Sequence, residues 1–196
     1  MKKAMAELKN RIKLYVVRHA ESVGNELGII DSVSEEFNKG LSVKGRKQAR
    51  GIGEILRKNK YDLIIVSPLK RIIETLEPHI KSLGNPQVII SDLTIERNAG
   101  EFIGKESGAI KIYCEQNKIN DPIAFRPANG ESILAVYKRA RKFLKYLKTN
   151  FDGENILLCG HYVFLKCLEI AINNKNIRDY YSFPNMKNCE LKEYEI

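Results

Sequence analysis

Short apolar runs alternating with amphipathic stretches set the rhythm of this chain. Residues 14–17 (LYVV), 63–66 (LIIV), 88–90 (VII) and 156–159 (ILLC) are apolar at every position, the pattern of strands buried on both faces. Elsewhere the apolar residues recur at helical spacing: Ala49, Ile52, Ile55 and Leu56, and again Tyr137, Ala140, Phe143, Leu144 and Leu147. The pattern predicts strands over 12–17, 62–66, 87–90 and 155–159, with a last strand within 189–195. Helices are expected over about 42–58, 68–83, 131–149 and 162–173. Ser42 is placed to open the first helix, and Ser67 with Pro68 to act as N-cap and first residue of the second. Strands and helices that alternate in this way build an α/β fold, a three-layer α/β/α sandwich around a mostly parallel central sheet.

Two stretches break the rhythm. Residues 22–41 join the first strand to the first helix. Residues 91–130 carry Gly100, Gly104, Gly108, Pro122, Pro127 and Gly130 without sustained periodicity, and a connection of that length usually serves a function. The expectation is a single domain over 1–196, with 91–130 as a substrate-side cover. With 196 residues and 43% hydrophobic content, one substantial core is affordable. No apolar run approaches the roughly 18 residues of a membrane span. The opening MKKAMAELKNRIK is basic without an apolar stretch, so it reads as a solvated leader and not a secretory signal.

Composition narrows the chemistry further. Cys114, Cys159, Cys167 and Cys189 are scattered without a CxxC pair, which fits a reduced cytoplasmic protein and assembles no metal site. The net charge of +9 favours anionic partners. The basic residues of RKFLKYLK (141–148) fall on the polar face of a helix, and no nucleic-acid module is visible. A small phosphorylated substrate is therefore expected, with no nucleic acid, membrane or cofactor. The oligomeric state is left open.

Two of the chain's three histidines sit at strand ends: His19 follows Arg18 after LYVV, and His161 follows Gly160 after ILLC. In an open α/β sheet that edge collects ligands, and the helix N-termini beside it favour anions. A neutral imidazole can attack phosphorus while guanidinium groups hold the phosphoryl oxygens. A carboxylic acid is then needed to protonate the leaving alkoxide.

The motifs RHAES with Asn25, LSVKGRKQA (41–49), SPLKRIIET (67–75), ER followed by Gly100 and Gly104, GES (130–132) and CGH occur in this order. Together they resemble the histidine phosphatase superfamily, or phosphoglycerate mutase-like family, over about residues 12–175. The resemblance implies that His19 is the nucleophile that becomes phosphohistidine and that Arg18, Arg71 and His161 complete the phosphate pocket. It implies Glu96 as general acid, then as the base that activates water. Ser22 and Asn25 fall where phosphate or substrate oxygens are contacted, and no metal is required. His161 departs from the usual GHGG in reading GHYV. Glu21 reads equally as a loop ion pair, and His79 as a surface residue.

The stretch ERNAGEFIGKES lies between the mutase pattern ERxxGxLxGLNK and the phosphatase form ERxxGxxxGK. Lys105 directly follows Gly104, and only about 25 residues separate Gly104 from GES. Both features favour a phosphatase acting on a sugar phosphate or phosphorylated acid. A mutase, a protein phosphohistidine phosphatase and a non-catalytic phosphate-binding module are the alternatives. Arg97, Lys105 and Arg126 read equally as binders of a second anionic group and as ordinary surface charge.

Overall fold

The structure is a computed structural model that describes residues 11–34, 36, 37 and 39–196. Residues 1–10 of the expected leader lie outside the described residues, and at its end Ile12 is buried in the core and Lys13 opens the first strand. The strands are β1 (Lys13–Arg18), β2 (Leu63–Val66), β3 (Gln87–Ile90), β4 (Asn155–Gly160) and β5 (Leu191–Glu195). They form one sheet in the order β3-β2-β4-β1-β5, in which only β5 runs antiparallel. The helices are α1 (Val23–Glu26), α2 (Val43–Leu56), α3 (Lys70–Leu76), α4 (Ala109–Gln116), α5 (Ile133–Asn150) and α6 (Tyr162–Ile172). The three-layer α/β/α expectation holds.

The pleat explains why the central strands are apolar throughout. Alternate residues point to opposite faces, so Leu14, Val16, Ile156 and Leu158 join the core beneath α5 and α6. Tyr15, Val17, Leu157 and Cys159 join the core with α2 and α3. Each such side chain, fully buried, contributes about 1.5–3 kcal/mol. α5 presents Val136, Ala140, Phe143 and Leu147 inward, and Arg141, Lys142, Lys145 and Lys148 stay on the solvent face.

Register then places the chemistry. β1 and β4 pair in parallel with Arg18 opposite Gly160, so His19 and His161 leave the sheet side by side. The His19 amide donates to the Gly160 carbonyl at 3.1 Å.

Several expectations change in the structure. The helix predicted over 68–83 is a short α3 followed by 3₁₀ turns at Glu77–His79 and Lys81–Leu83, because Pro78 has no N–H to continue an α-helical ladder. Ser67 does not cap it, since Leu69 holds the N-cap position. His79 is buried, 6% exposed, with Nε2 against the Ala49 carbonyl and its ring where α2 carries Gly53. The cover segment contains α4, whose buried residues Ile110 and Cys114 pack with Ala99 and Phe102 in a small separate core. Two inward positions on an eight-residue helix are too few to register as periodicity. Among the described residues no helix is long and apolar enough to cross a membrane.

Candidate active site

The two histidines stand with ring centroids 5.3 Å apart. His19 Nδ1 lies 2.7 Å from the Ala20 carbonyl, and a carbonyl only accepts, so this nitrogen carries the proton. The lone pair is then on Nε2. Burial, reinforced by the Arg71 and Arg18 guanidinium groups, pushes His19 well below the ordinary imidazole value. The ring is therefore neutral and its Nε2 nucleophilic at neutral pH.

His161 is assigned in the same way. Arg71 Nε donates to its Nδ1 at 3.2 Å, which leaves Nε2–H to donate to Ser67 Oγ at 2.8 Å. The turn after β2 thus supplies a hydroxyl to the site where a helix cap was expected. Burial and the same arginines push His161 down as well. Arg71, 1% exposed, also donates from Nη2 to the Ser32 carbonyl at 2.9 Å and faces Asp31 at 3.7 Å. Arg18 donates to the Met186 carbonyl at 2.8 Å, lies 4.9 Å from the Tyr162 ring centroid, and keeps a buried Nε with no partner among the described residues.

Glu96 sits at the N-terminus of α6, where Oε1 accepts from the amides of Arg97, Val163 and Phe164 at 2.8, 3.2 and 3.2 Å. Unsatisfied amides at a helix start suit a carboxylate. Arg139 on α5 fixes the segment before it, donating to the carbonyls of Leu93, Ile95 and Glu96 and pairing with Glu131 at 3.0 Å. A cavity of about 610 Å³ opens here, walled among others by Arg18, Asn25, Asp31, Ser32, Glu96 and Arg97. Arg71, which hydrogen-bonds to Ser32, lies immediately behind that wall.

The sequence profile of the histidine phosphatase superfamily (branch 1) matches residues 14–196. The chain belongs to the histidine phosphatase superfamily. Phosphoserine phosphatase 1 of Hydrogenobacter thermophilus is 29% identical over 94% of this chain and 85% of its own length. Putative phosphoserine phosphatase 2 of the same organism is 30% identical over 94% and 89%. Among solved structures, Bacillus stearothermophilus YhfR superposes with a TM-score of 0.80 over 93% of this chain and 90% of that one. At 23% identity that likeness speaks for the fold alone. This histidine phosphatase is a phosphoric monoester hydrolase, with phosphatases among its relatives.

The remaining sequence candidates separate in the histidine phosphatase structure. Asn25 and Arg97 line the cavity, and Arg97 keeps a buried Nη2 without a partner among the described residues while Nε donates to the Glu131 carbonyl. Ser22 is committed elsewhere: its hydroxyl caps α1, accepting from the Asn25 amide and donating to Asp31 at 2.8 Å. Lys105 is exposed over the Phe102 ring, and Arg126 is exposed with Nε on the Gly130 carbonyl. Neither is among the residues walling the cavity. Glu21 turns away from Arg18 and holds Ser42 and Lys44 at the start of α2. There Gly45 admits the Glu21 carbonyl, into which a Cβ would collide.

Asp31, Tyr162 and Arg139 were not singled out from sequence, and Ser67 was singled out only as a helix cap. Asp31 and Ser67 belong to irregular segments, and Arg139 looks like any base on a Lys-rich helix. Their significance lies in contacts between distant segments, for which the chain carries no local signal.

Proposed function

We propose that this protein is a phosphomonoesterase that acts through a phosphohistidine on a small phosphorylated metabolite and passes the phosphoryl group to water. His19 Nε2 attacks phosphorus as the ester P–O bond breaks, and Glu96 in its acid form gives its proton to the departing alkoxide. Glu96, now a carboxylate, then takes a proton from water as the water oxygen attacks phosphorus and the N–P bond breaks. Arg18, Arg71 and His161 hold the phosphoryl oxygens, and phosphoryl transfer depends mainly on such positioning and charge. The imidazole is itself the nucleophile, so the scheme calls for no metal ion. Asn25 and Arg97 belong to the binding wall, and residues 91–130 form the substrate side of one domain.

The observation that carries this reading is the forced tautomer of His19, which leaves a free Nε2 lone pair on a ring under the influence of the Arg71 and Arg18 guanidinium groups. The compact stretch between Gly104 and Gly130, folded around α4, favours water over a mutase's returning intermediate. A cytoplasmic location is supported by four cysteines that all stand as free thiols.

The test is phosphate release from p-nitrophenyl phosphate, sugar phosphates, phosphorylated acids and a phosphohistidine peptide, with His19→Ala as control. Release by the wild type that falls by at least about 100-fold in the variant is expected. Isomerisation dependent on a bisphosphate primer, with little free phosphate, would establish the mutase instead. Turnover surviving in His19→Ala would remove the nucleophile assignment.

A further inference from the structure

Lys166 presents an oddity in the wall of the same cavity. It is 5% exposed, and a lysine so buried is normally ion-paired. Arg71 faces Asp31 and Arg139 has Glu131. Lys166 makes no ion pair among the described residues. Its ammonium donates to Asn185 Oδ1 at 2.8 Å and lies 4.6 Å from the Tyr180 ring centroid. Glu169, on the same helix, is taken by Lys192 at 2.7 Å.

We propose that Lys166 determines substrate specificity by receiving a carboxylate carried on the organic part of the phosphomonoester. The proposal rests on the phosphatase reading and names the substrate class. Three observations support it.

The first is location. Lys166 and Arg18 line the same cavity and share the Tyr162 ring, with Lys166 Nζ at 6.0 Å and the Arg18 guanidinium at 4.9 Å from its centroid. A small substrate whose phosphoryl group meets Arg18 extends along that ring toward Lys166.

The second is donor chemistry. Asn185 Oδ1 is occupied by Lys166 and by the Tyr162 hydroxyl, which leaves its amide nitrogen as a donor. Arg97 adds its Nη2, which has no partner among the described residues. Sugar hydroxyls need acceptors as well as donors, whereas a carboxylate needs donors alone.

The third is charge. Arg18, Arg71, Arg97 and Lys166 face Asp31 and a phosphoryl dianion. The cavity wall itself carries Arg18, Arg97, Lys111 and Lys166 against Asp31 and Glu96, an excess of cations that favours a further anionic group on the organic part of the substrate.

The experiment compares kcat/KM for two pairs that differ in the carboxylate: O-phosphoserine against O-phosphoethanolamine, and 3-phosphoglycerate against glycerol 3-phosphate. The wild type is expected to prefer the acid of each pair by about tenfold or more, since a site built for a charged partner rejects the analogue lacking it. Lys166→Met should bring both ratios near one, and Lys166→Arg should keep much of the preference. Lys142→Met, which removes an exposed charge on α5, should leave the ratios intact. Equal losses on all substrates in Lys166→Met, or no acid preference in the wild type, would overturn the proposal.

Binding is read separately by calorimetry, with 2-amino-4-phosphonobutanoate against 3-aminopropylphosphonate. Tighter binding of the acid that is lost in Lys166→Met supports the subsite even if no phosphate is released, in which case the phosphatase reading fails alone. Equal binding of the two phosphonates overturns the subsite whatever the turnover.

Discussion

At the scale of single residues, the site is organised by where protons are held. The Ala20 carbonyl fixes the proton of His19 on Nδ1, and Arg71 with Ser67 fixes that of His161 on Nε2. In the proposed mechanism the movable proton belongs to Glu96. Replacing Glu96 by Gln keeps a carbonyl for the α6 amides and removes the transferable proton. For alkyl phosphates, whose leaving groups are poor, kcat/KM should fall by about 100-fold or more. For p-nitrophenyl phosphate, whose phenolate leaves unaided, the fall in the first step should be about tenfold or less. A plot of kcat/KM against leaving-group pKa checks this, and the variant's line should be the steeper. Parallel lines would show that Glu96 gives no proton to the leaving group. Glu96 was legible in sequence through its spacing to Gly100 and Gly104. Its seat on the α6 amides was not, because that contact joins segments 67 residues apart.

At the scale of elements, strand-end register does most of the placement, and it was readable because both strands announce themselves as unbroken apolar runs. What escaped were the elements too short to carry a period: α4, α1 and the 3₁₀ turns after α3. The connection between β1 and α2 matters most here, because it brings Asp31 against Arg71 and closes the cavity wall over that guanidinium with Ser32. Ser32 holds a φ of +49°, uncommon for a non-glycine residue, while its hydroxyl donates to the Arg97 carbonyl at 2.6 Å. A bound phosphoryl group would share Arg71 with the Asp31 carboxylate, and like charges at that range disfavour one another. Asp31→Asn preserves an acceptor for the Ser22 hydroxyl and removes the charge. Inhibition constants for phosphate and vanadate should therefore drop by about fivefold or more at neutral pH. Unchanged constants would place the bound anion away from Asp31.

At the scale of the whole molecule, burying two imidazoles beside two arginines couples the catalytic arrangement to stability. His19 and His161 are 3% and 0% exposed, and burial with the nearby guanidinium charges holds both well below the ordinary imidazole pKa of about 6.5. In the unfolded chain both rings take up protons as the pH falls through that ordinary value, while in the folded chain they do not. The unfolded state then binds more protons, so acid favours unfolding. Stability should be level above about pH 7 and should decline below about pH 6.5, by up to about 1.4 kcal/mol per pH unit for each imidazole. Urea midpoints between pH 8 and pH 5 in phosphate-free buffer measure the slope. His161→Gln, which retains a donor for Ser67, should remove about half of it. Inorganic phosphate at a concentration well above its Kd should raise stability across the range, because it binds the folded chain alone. A flat profile in both proteins would mean that neither imidazole is held neutral by the fold, and the lone pair assigned to His19 Nε2 would then have to be protected by the substrate.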